Sequence, residues 1–459
     1  MKYTDHGVEN IRIAYIGGGS RGWAWKLMSD LAVATDISGE VNLYDIDYDA
    51  AHRNEIIGNK FARCPGATAN WKYTARRSIG EALCGADFVI ISILPATFDE
   101  MDSDVHTPEK YGIYQSVGDT TGPGGIIRGL RTVPMIEVIA KAIREHCPNA
   151  WVINYTNPMA LCIRALYDTF PKIKAFGCCH EVFGVQRLIA RAISEVSGEA
   201  APDRKDIKTN VVGVNHFTWI TDASYRNLDV MRIYADFADK YYISGIEKEH
   251  PDSTFEATHR VKFDLFRRYG CIAAAGDRHL AEFCEGDRYL KSREQIAEWG
   301  FALTPVSWRK EDLKQRLERS ERLCSGAEEV KIEETGEDGV RQIRALLGLE
   351  DYITNVNLPN VGQISNLPLG VVVETNAAFR DDSVTPLLAG EIPEGVLQLV
   401  LRHADAQTTL ARAARERDLD LAFTAFASDP LVNLDIARAR ELFDEMVNNT
   451  AEYLSEYIK

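Results

Sequence analysis

The sequence lacks any apolar run approaching the roughly 18 residues of a membrane-spanning helix. It has no low-complexity or long polar tract of the kind that stays disordered, and no internal repeat. It also lacks a basic excess: 52 lysines and arginines stand against 68 aspartates and glutamates, for a formal net charge of -16. That balance argues against nucleic acid or an anionic membrane as a partner, because phosphate binding needs a basic face. An anionic small molecule would need a local basic pocket. The nine cysteines are odd in number and scattered, with no compact disulfide spacing. They read as reduced thiols in a cytoplasmic protein, most of them small buried apolar residues. The first nine residues are polar and lead into a strand, so no signal peptide is expected.

What is present is an ordinary globular composition, 45% hydrophobic and 26% charged, on a chain of 459 residues. That length exceeds one ordinary core and predicts two domains, divided as 1–200 and 201–459. The first 150 residues alternate β-branched runs with helical patterns. Strands are predicted over 11–16, 41–44, 88–94 and 151–155, and helices over 23–33 and 133–145, the latter with Pro134 in its first turn. This is the pattern of an α/β, doubly wound parallel sheet, a Rossmann domain. Beyond residue 200 an α+β part is predicted, with strands over 211–214 and 371–374, a helix over 228–243, and mostly helix after Pro393. The acidic stretch 328–338 reads as a solvated surface feature without chemistry.

Directly after the first strand stands Gly17-Gly18-Gly19-Ser20-Arg21-Gly22, a complete G-x-G-x-x-G. In that position the first glycine makes the tight turn, the second admits a pyrophosphate, and the third lets the helix pack closely on the strand. Asp45 follows Gly22 by 23 residues at the end of the second strand, where a carboxylate binds ribose hydroxyls and repels a 2′-phosphate. NAD is therefore the expected cofactor, with Asp47 able to share the role. Ser92 and Pro95, after a later strand, are expected to line the same crevice.

Four further segments place reactive side chains after predicted strands: 118–125 with Asp119, 154–158 with Asn157, 178–182 with Cys178-Cys179-His180-Glu181-Val182, and 213–217 with His216. Taken singly, Asn157-Pro158 is a turn, Cys179 a buried hydrophobe and His216 a core or surface histidine. Together, a thiol and an imidazole behind a nucleotide fold suggest a divalent first-row metal with mixed donors. These residues leave the choice of metal open.

At these motifs the chain resembles family 4 glycoside hydrolases over roughly residues 11 to 375, an NAD-dependent exception to two-carboxylate hydrolysis. The resemblance implies a fold related to lactate and malate dehydrogenases and a homodimer or homotetramer. It implies Cys179 and His216 as ligands of a metal, usually Mn2+, Asn157 as a substrate contact, and Asp119 as the acidic residue of the glycine-rich active-site loop. Cys179-His180-Glu181-Val182 is similar to the version in the α-galacturonidase subgroup. The implied chemistry removes hydride from C3 of the sugar to NAD+, takes the C2 proton, eliminates the glycosidic oxygen, adds water, and returns the hydride. For the base, Asp264 aligns where other members carry tyrosine, with Tyr269 as the fallback. His180 is the candidate general acid, and Glu181 orients it or binds substrate. A uronate needs a cation, for which Arg278 comes first, then His279, Arg267 and Arg128, because a guanidinium grips a carboxylate bidentately. A structural or inter-subunit ion pair is the alternative for Arg278. The expected substrates are small α-uronides or oligogalacturonides, with α-glucuronides and α-galactosides as alternatives within the family. A malate- or lactate-type dehydrogenase is the alternative from another class.

Overall fold

The computed structural model describes residues 1–333 and 335–458. In chain order the strands are β1 (Lys2–Thr4), β2 (Gly7–Ile16), β3 (Ile37–Tyr44), β4 (Trp71–Ala75), β5 (Phe88–Ile91), β6 (Trp151–Asn154), β7 (Lys174–Gly177), β8 (Lys208–Val214), β9 (Phe217–Tyr225), β10 (Leu228–Asp229), β11 (Ile272–Ala273), β12 (Tyr352–Pro359), β13 (Val372–Arg380) and β14 (Ser383–Pro386). Among the described residues, ten of them form one sheet whose path runs β14-β13-β12-β7-β6-β5-β2-β3-β4, with β1 paired to β2.

From β4 to β7 all neighbours are parallel. The order 4-3-2-5-6-7 is the doubly wound order, with its reversal between β2 and β5, and a ligand crevice opens beyond the carboxyl ends of strands at such a reversal. β5 is buried at all four positions, as a parallel strand covered on both faces must be. The sequence-predicted helix 23–33 is the observed Trp23–Val33.

Four expectations need correction. Pro134 is not in a first turn, because its helix begins twelve residues earlier and runs Gly122–His146, so the glycine-rich segment is a helix start. For the same reason Asp119 follows a short 3-10 turn, Pro108–Tyr111, and not a strand. The helix predicted over 228–243 is Val230–Tyr241, since Leu228–Asp229 pairs with β9 and the Asp229 side chain accepts from the Arg232 N–H. The strand predicted over 371–374 extends to Arg380 as β13.

The last of these changes the architecture. β12 pairs antiparallel with β7 and with β13, so strands from beyond residue 350 complete the N-terminal sheet. One hydrophobic core likewise joins Ala14 and Val152 to Val212, Phe283 and Met446. The two sides of residue 200 thus share both sheet and core. A second sheet of β8, β9, β10 and β11 stands beside them. After Pro393 the chain is helical, with Glu394–Glu416, Leu419–Ala427 and Ile436–Asn449.

Within the acidic stretch, Asp338 is buried and accepts from Arg204, Tyr352 and Thr354, so that end of the stretch is not a solvated surface. Position 334 lies outside the described residues. All nine cysteines are unpaired, and four of them (Cys147, Cys162, Cys271 and Cys284) are buried, fewer than expected. No helix among the described residues is long and apolar enough to cross a membrane.

Candidate active site

The glycine turn sits at the carboxyl end of β2, where the amides of Gly17 and Gly18 both donate to the Tyr44 carbonyl at the end of β3. Gly17 has φ +89°, a left-handed conformation that disfavours any side chain. A Cβ on Gly19 would lie 2.6 Å from the Ala50 Cβ and 2.9 Å from Asp45 Oδ2. Asp45 Oδ2 accepts from the Gly19 N–H at 2.9 Å, tying the second strand to the turn. Asn54, buried and unremarked in sequence, donates to the carbonyls of Gly18 (2.7 Å) and Ser20 (2.9 Å) and fixes its shape. Trp23 starts the next helix behind Gly22, with no side-chain cap, an arrangement that suits an anion at the helix start. Asp47 is committed differently: it caps the helix Tyr48–Phe61 by accepting from Ala50 N–H. Ser92 lies across the strand reversal from Gly17, and Pro95 is buried in the following turn. The Arg21 carbonyl accepts from Arg316 Nη1 at 3.0 Å.

Beyond the same strand ends, Asp119, His216 and His279 each offer a ligand atom within 4.8 Å of the others. Three separate elements deliver them. Asp119 precedes the long helix Gly122–His146, His216 occupies the two-residue turn between β8 and β9 in the left-handed region (φ +61°), and His279 lies in the short helix Asp277–Glu282. The Thr120 hydroxyl donates to Asp119 Oδ1 (2.7 Å), so toward His216 Nδ1 (2.8 Å) it acts as acceptor. That assigns the proton of His216 to Nδ1 and leaves Nε2 with a lone pair for a cation. The His216 and His279 rings stack with centroids 4.0 Å apart.

Electrostatics sort these groups. Burial raises the Asp119 carboxyl, but the cationic His279 and Arg128 and the bond from the Thr120 hydroxyl outweigh it and hold Asp119 below the usual carboxylate range. Burial and the neighbouring His279 hold His216 at about 3, hence neutral. His279 is lowered by burial yet raised overall by Glu181, whose Oε1 lies 3.3 Å from its Nδ1. Glu181 Oε2 in turn accepts from the Gly276 N–H at 2.5 Å. Asn157, next to a cis bond to Pro158, donates to Asp119 Oδ2 at 3.3 Å. His279 Nε2 and Asn157 Oδ1 are buried without a hydrogen-bond partner and lie beside Asp119, so the donor set fits a divalent cation carrying sugar oxygens.

Cys179 stands outside this three-residue group. Its thiol interacts with Asn215, and burial with Glu374 and Glu181 nearby raises it well above an ordinary thiol. Glu374, on β13, accepts from both Asn215 and Asn355, so the completed sheet supports this corner. His180 is exposed at the rim, its ring 5.6 Å from that of Trp23 and its Nδ1 3.9 Å from Glu337. Arg128 Nε donates to the Asn157 carbonyl at 3.3 Å. Arg278 is buried, with Nη2 donating to the Ser116 carbonyl (2.6 Å) and to the Thr304 hydroxyl.

Two expected catalytic residues are not brought here. Asp264 is buried in another cluster, accepting from Arg268 at 2.7 Å, Tyr289 at 2.6 Å and Tyr242 at 3.2 Å. Tyr269 packs edge-on against Trp219. The helix Arg260–Tyr269 turns Lys262 the opposite way, to Asp277 and the Ala275 carbonyl, which is why Asp264 faces away. Arg267 is exposed and pairs with Asp239. Sequence reasoning also missed Glu282, which accepts from Val117 N–H (2.6 Å) and Gly118 N–H (3.0 Å) and so holds the loop bearing Asp119. Burial raises its carboxyl to about 7.

Residues 12–195 match the family 4 glycosyl hydrolases and residues 211–432 match their C-terminal domain. The chain belongs to family 4 of the glycosyl hydrolases. It is a glycosidase. An α-galacturonidase of Thermoanaerobacterium saccharolyticum is 60% identical to this family 4 chain over 99% of it and 98% of the relative. A crystal structure from Bacillus subtilis, described as a candidate glucosidase, is 52% identical and superposes with a TM-score of 0.92 over 96% of this chain and all of that one. The 6-phospho-β-glucosidase of Thermotoga maritima, solved with manganese, NAD+ and glucose-6-phosphate, shares the fold at 23% identity, with a TM-score of 0.76 over 96% of this chain and 99% of that one.

Proposed function

We propose that this family 4 glycosidase cleaves α-linked galacturonides, using NAD and a divalent cation, manganese first. The observation that carries the reading is the Asp119, His216 and His279 group lying beyond the strand ends that also present the glycine turn. The 60% identity to an α-galacturonidase supports the substrate, and the cofactors of the Thermotoga maritima structure support the pair NAD and manganese.

Bound together, the nicotinamide would exchange a hydride with C3 of the sugar and the cation would polarise the oxygen there, making the C2 proton acidic. The protein's part is to hold them against one sugar ring. Gly17, Gly18, Gly19, Ser20, Arg21 and Gly22 would bind the dinucleotide phosphates, Asp45 the ribose, and Ser92 and Pro95 would line the crevice. Asp119, His216 and His279 would hold the cation, with Cys179 as the adjoining fourth candidate. Asn157 would grip a sugar hydroxyl through Oδ1, which has no partner among the described residues. His180, at the rim and bordered by Glu337, would deliver a proton to the departing glycosidic oxygen. Glu181 orients His279. Arg278 and Arg128 supply positive charge for the uronate. A homodimer or homotetramer in a reducing compartment belongs to the same proposal.

The deciding assay supplies an aryl α-galacturonide, NAD+, Mn2+ and a thiol. Galacturonate release without accumulation of NADH is the expected result. Stoichiometric NADH would assign a dehydrogenase instead, and cleavage of α-galactosides or α-glucuronides in preference would move the substrate within the family.

A further inference from the structure

Two buried guanidiniums, Arg128 and Arg278, and a partly buried one, Arg309, lie close enough to Asp119 for their charges to act on it. Arg128 and Arg278 are 6% and 8% exposed. None of the three has a carboxylate partner among the ion pairs of the described residues, although surface arginines elsewhere are widely paired. The Nε atoms of both Arg278 and Arg309 are buried without an acceptor among the described residues. Asp119, Glu181 and Glu282 act on Arg278 at longer range, but no carboxylate among the described residues is in ion-pair contact with any of the three, and a buried cation without a contacting anion is costly and rarely kept unless something pairs with it.

The placement of Arg309 is built in. It lies in the first turn of the helix Val306–Ser325, whose start is fixed by the Val306 N–H donating to His106 Nε2 at 3.1 Å. Just before it, the Thr304 N–H reaches the Ser116 carbonyl, and the Thr304 hydroxyl accepts from Arg278. Phe255 joins the two arginine segments: the Arg278 guanidinium lies 5.1 Å from its ring centre, and Trp308 packs against it edge-on at 5.0 Å. The charge of Arg309 is felt by Arg128 and Arg278, whose pKa values burial and this neighbour both lower, Arg278 to about 10.

We infer that Arg309 and Arg278 together form the receptor for the substrate's carboxylate, with Arg309 delivered by the helix Val306–Ser325 and the two unpartnered Nε–H groups as its donors. This rests on the galacturonide reading and deepens it by naming a residue from outside the sequence motifs. A planar carboxylate takes two such donors side by side, which a neutral hydroxymethyl group cannot do. Arg309 thus acts as a specificity residue, separating uronides from neutral galactosides.

The test uses the protein loaded with NAD+ and Mn2+, comparing wild type with Arg309→Met, Arg309→Lys and Arg278→Gln. Titration calorimetry with D-galacturonate should show binding weakened on the order of 10–100-fold in Arg309→Met, as befits a lost charge-assisted pair, with partial recovery in Arg309→Lys. Binding of D-galactose should be unchanged, and the loss in hydrolysis should fall on KM more than on kcat. Without ligand, Arg309→Met should melt no lower than wild type, because it removes an unpaired buried charge. Galacturonate should raise the melting temperature of wild type only. Equal binding of galacturonate by wild type and Arg309→Met overturns the inference, as does equal loss for galacturonate and galactose or a lower melting point without ligand. If Arg309→Met is not obtained folded, undiminished galacturonate binding by Arg278→Gln overturns it. Should wild type itself neither bind galacturonate nor cleave its α-glycosides, the galacturonide reading fails, and this inference with it.

Discussion

The rings of His216 and His279 stack 4.0 Å apart, yet their surroundings bias them in opposite directions: burial and its neighbour keep His216 neutral, while Glu181 favours a proton on His279. A cation binding at both must displace that proton. Mn2+ affinity is therefore expected to rise with pH through the titration of His279, with proton release on binding, measurable by calorimetry in buffers of different ionisation enthalpy. A pH-independent affinity would remove His279 from the ligand set. His279→Ala should weaken Mn2+ by at least the 10–100-fold typical of lost outer-shell partners.

Gly19→Ala tests the dinucleotide turn. The new methyl would meet Ala50 at 2.6 Å and displace the Asp45 carboxylate, so NAD+ binding should fall by roughly tenfold or more, the worth of one lost hydrogen bond. Fluorescence titration of NAD+ against wild type checks it, with Mn2+ binding unchanged as the control.

Asp104 and Arg131 form a two-pronged pair, 0% and 1% exposed, with bonds of 3.0 and 2.5 Å. Asp104→Ala strands a buried guanidinium and should cost about 3–5 kcal/mol of stability, read from urea unfolding. Replacing both partners by apolar residues of similar volume should cost much less.

Asp30 supplies a pH signature of its own. Burial raises its carboxyl to about 6, against the partial relief of a 2.6 Å bond from the Thr335 hydroxyl. A carboxyl raised on folding contributes stability below its unfolded pKa near 4 and loses it as pH climbs through 6. Asp30→Asn should flatten the fall in stability between pH 4 and pH 7, by about 1–2 kcal/mol after allowance for partial solvent screening. An unchanged profile in thermal melts would place the titration elsewhere.

The parallel half was legible because its signals are local. The glycine turn, the strand-end Asp45 and the helix Trp23–Val33 each declare themselves within a few residues. The grouping of Asp119 with His216 and His279 was not, because the three residues come from separate elements brought together only by the β8–β9 turn and the short helix Asp277–Glu282. Asp264 went astray through helix phase: it stands two positions after Lys262, which turns it about 200° away, on to Arg268 and Tyr289. Glu282 and Arg309 carry no motif at all. Their meaning lies in what they touch, backbone amides for one and a neighbourhood of cations for the other.

The pairing of β7 with β12 has a practical outcome for anyone wishing to dissect the molecule. A fragment cut near residue 200 would expose the flank of β7, a row of unsatisfied amides and carbonyls that invites self-association. It would also part Asp119, left on the first fragment, from His216 and His279 on the second. Grafting the nucleotide half of a cousin on to this chain, or the reverse, therefore has to carry the segment 352–386 along with it.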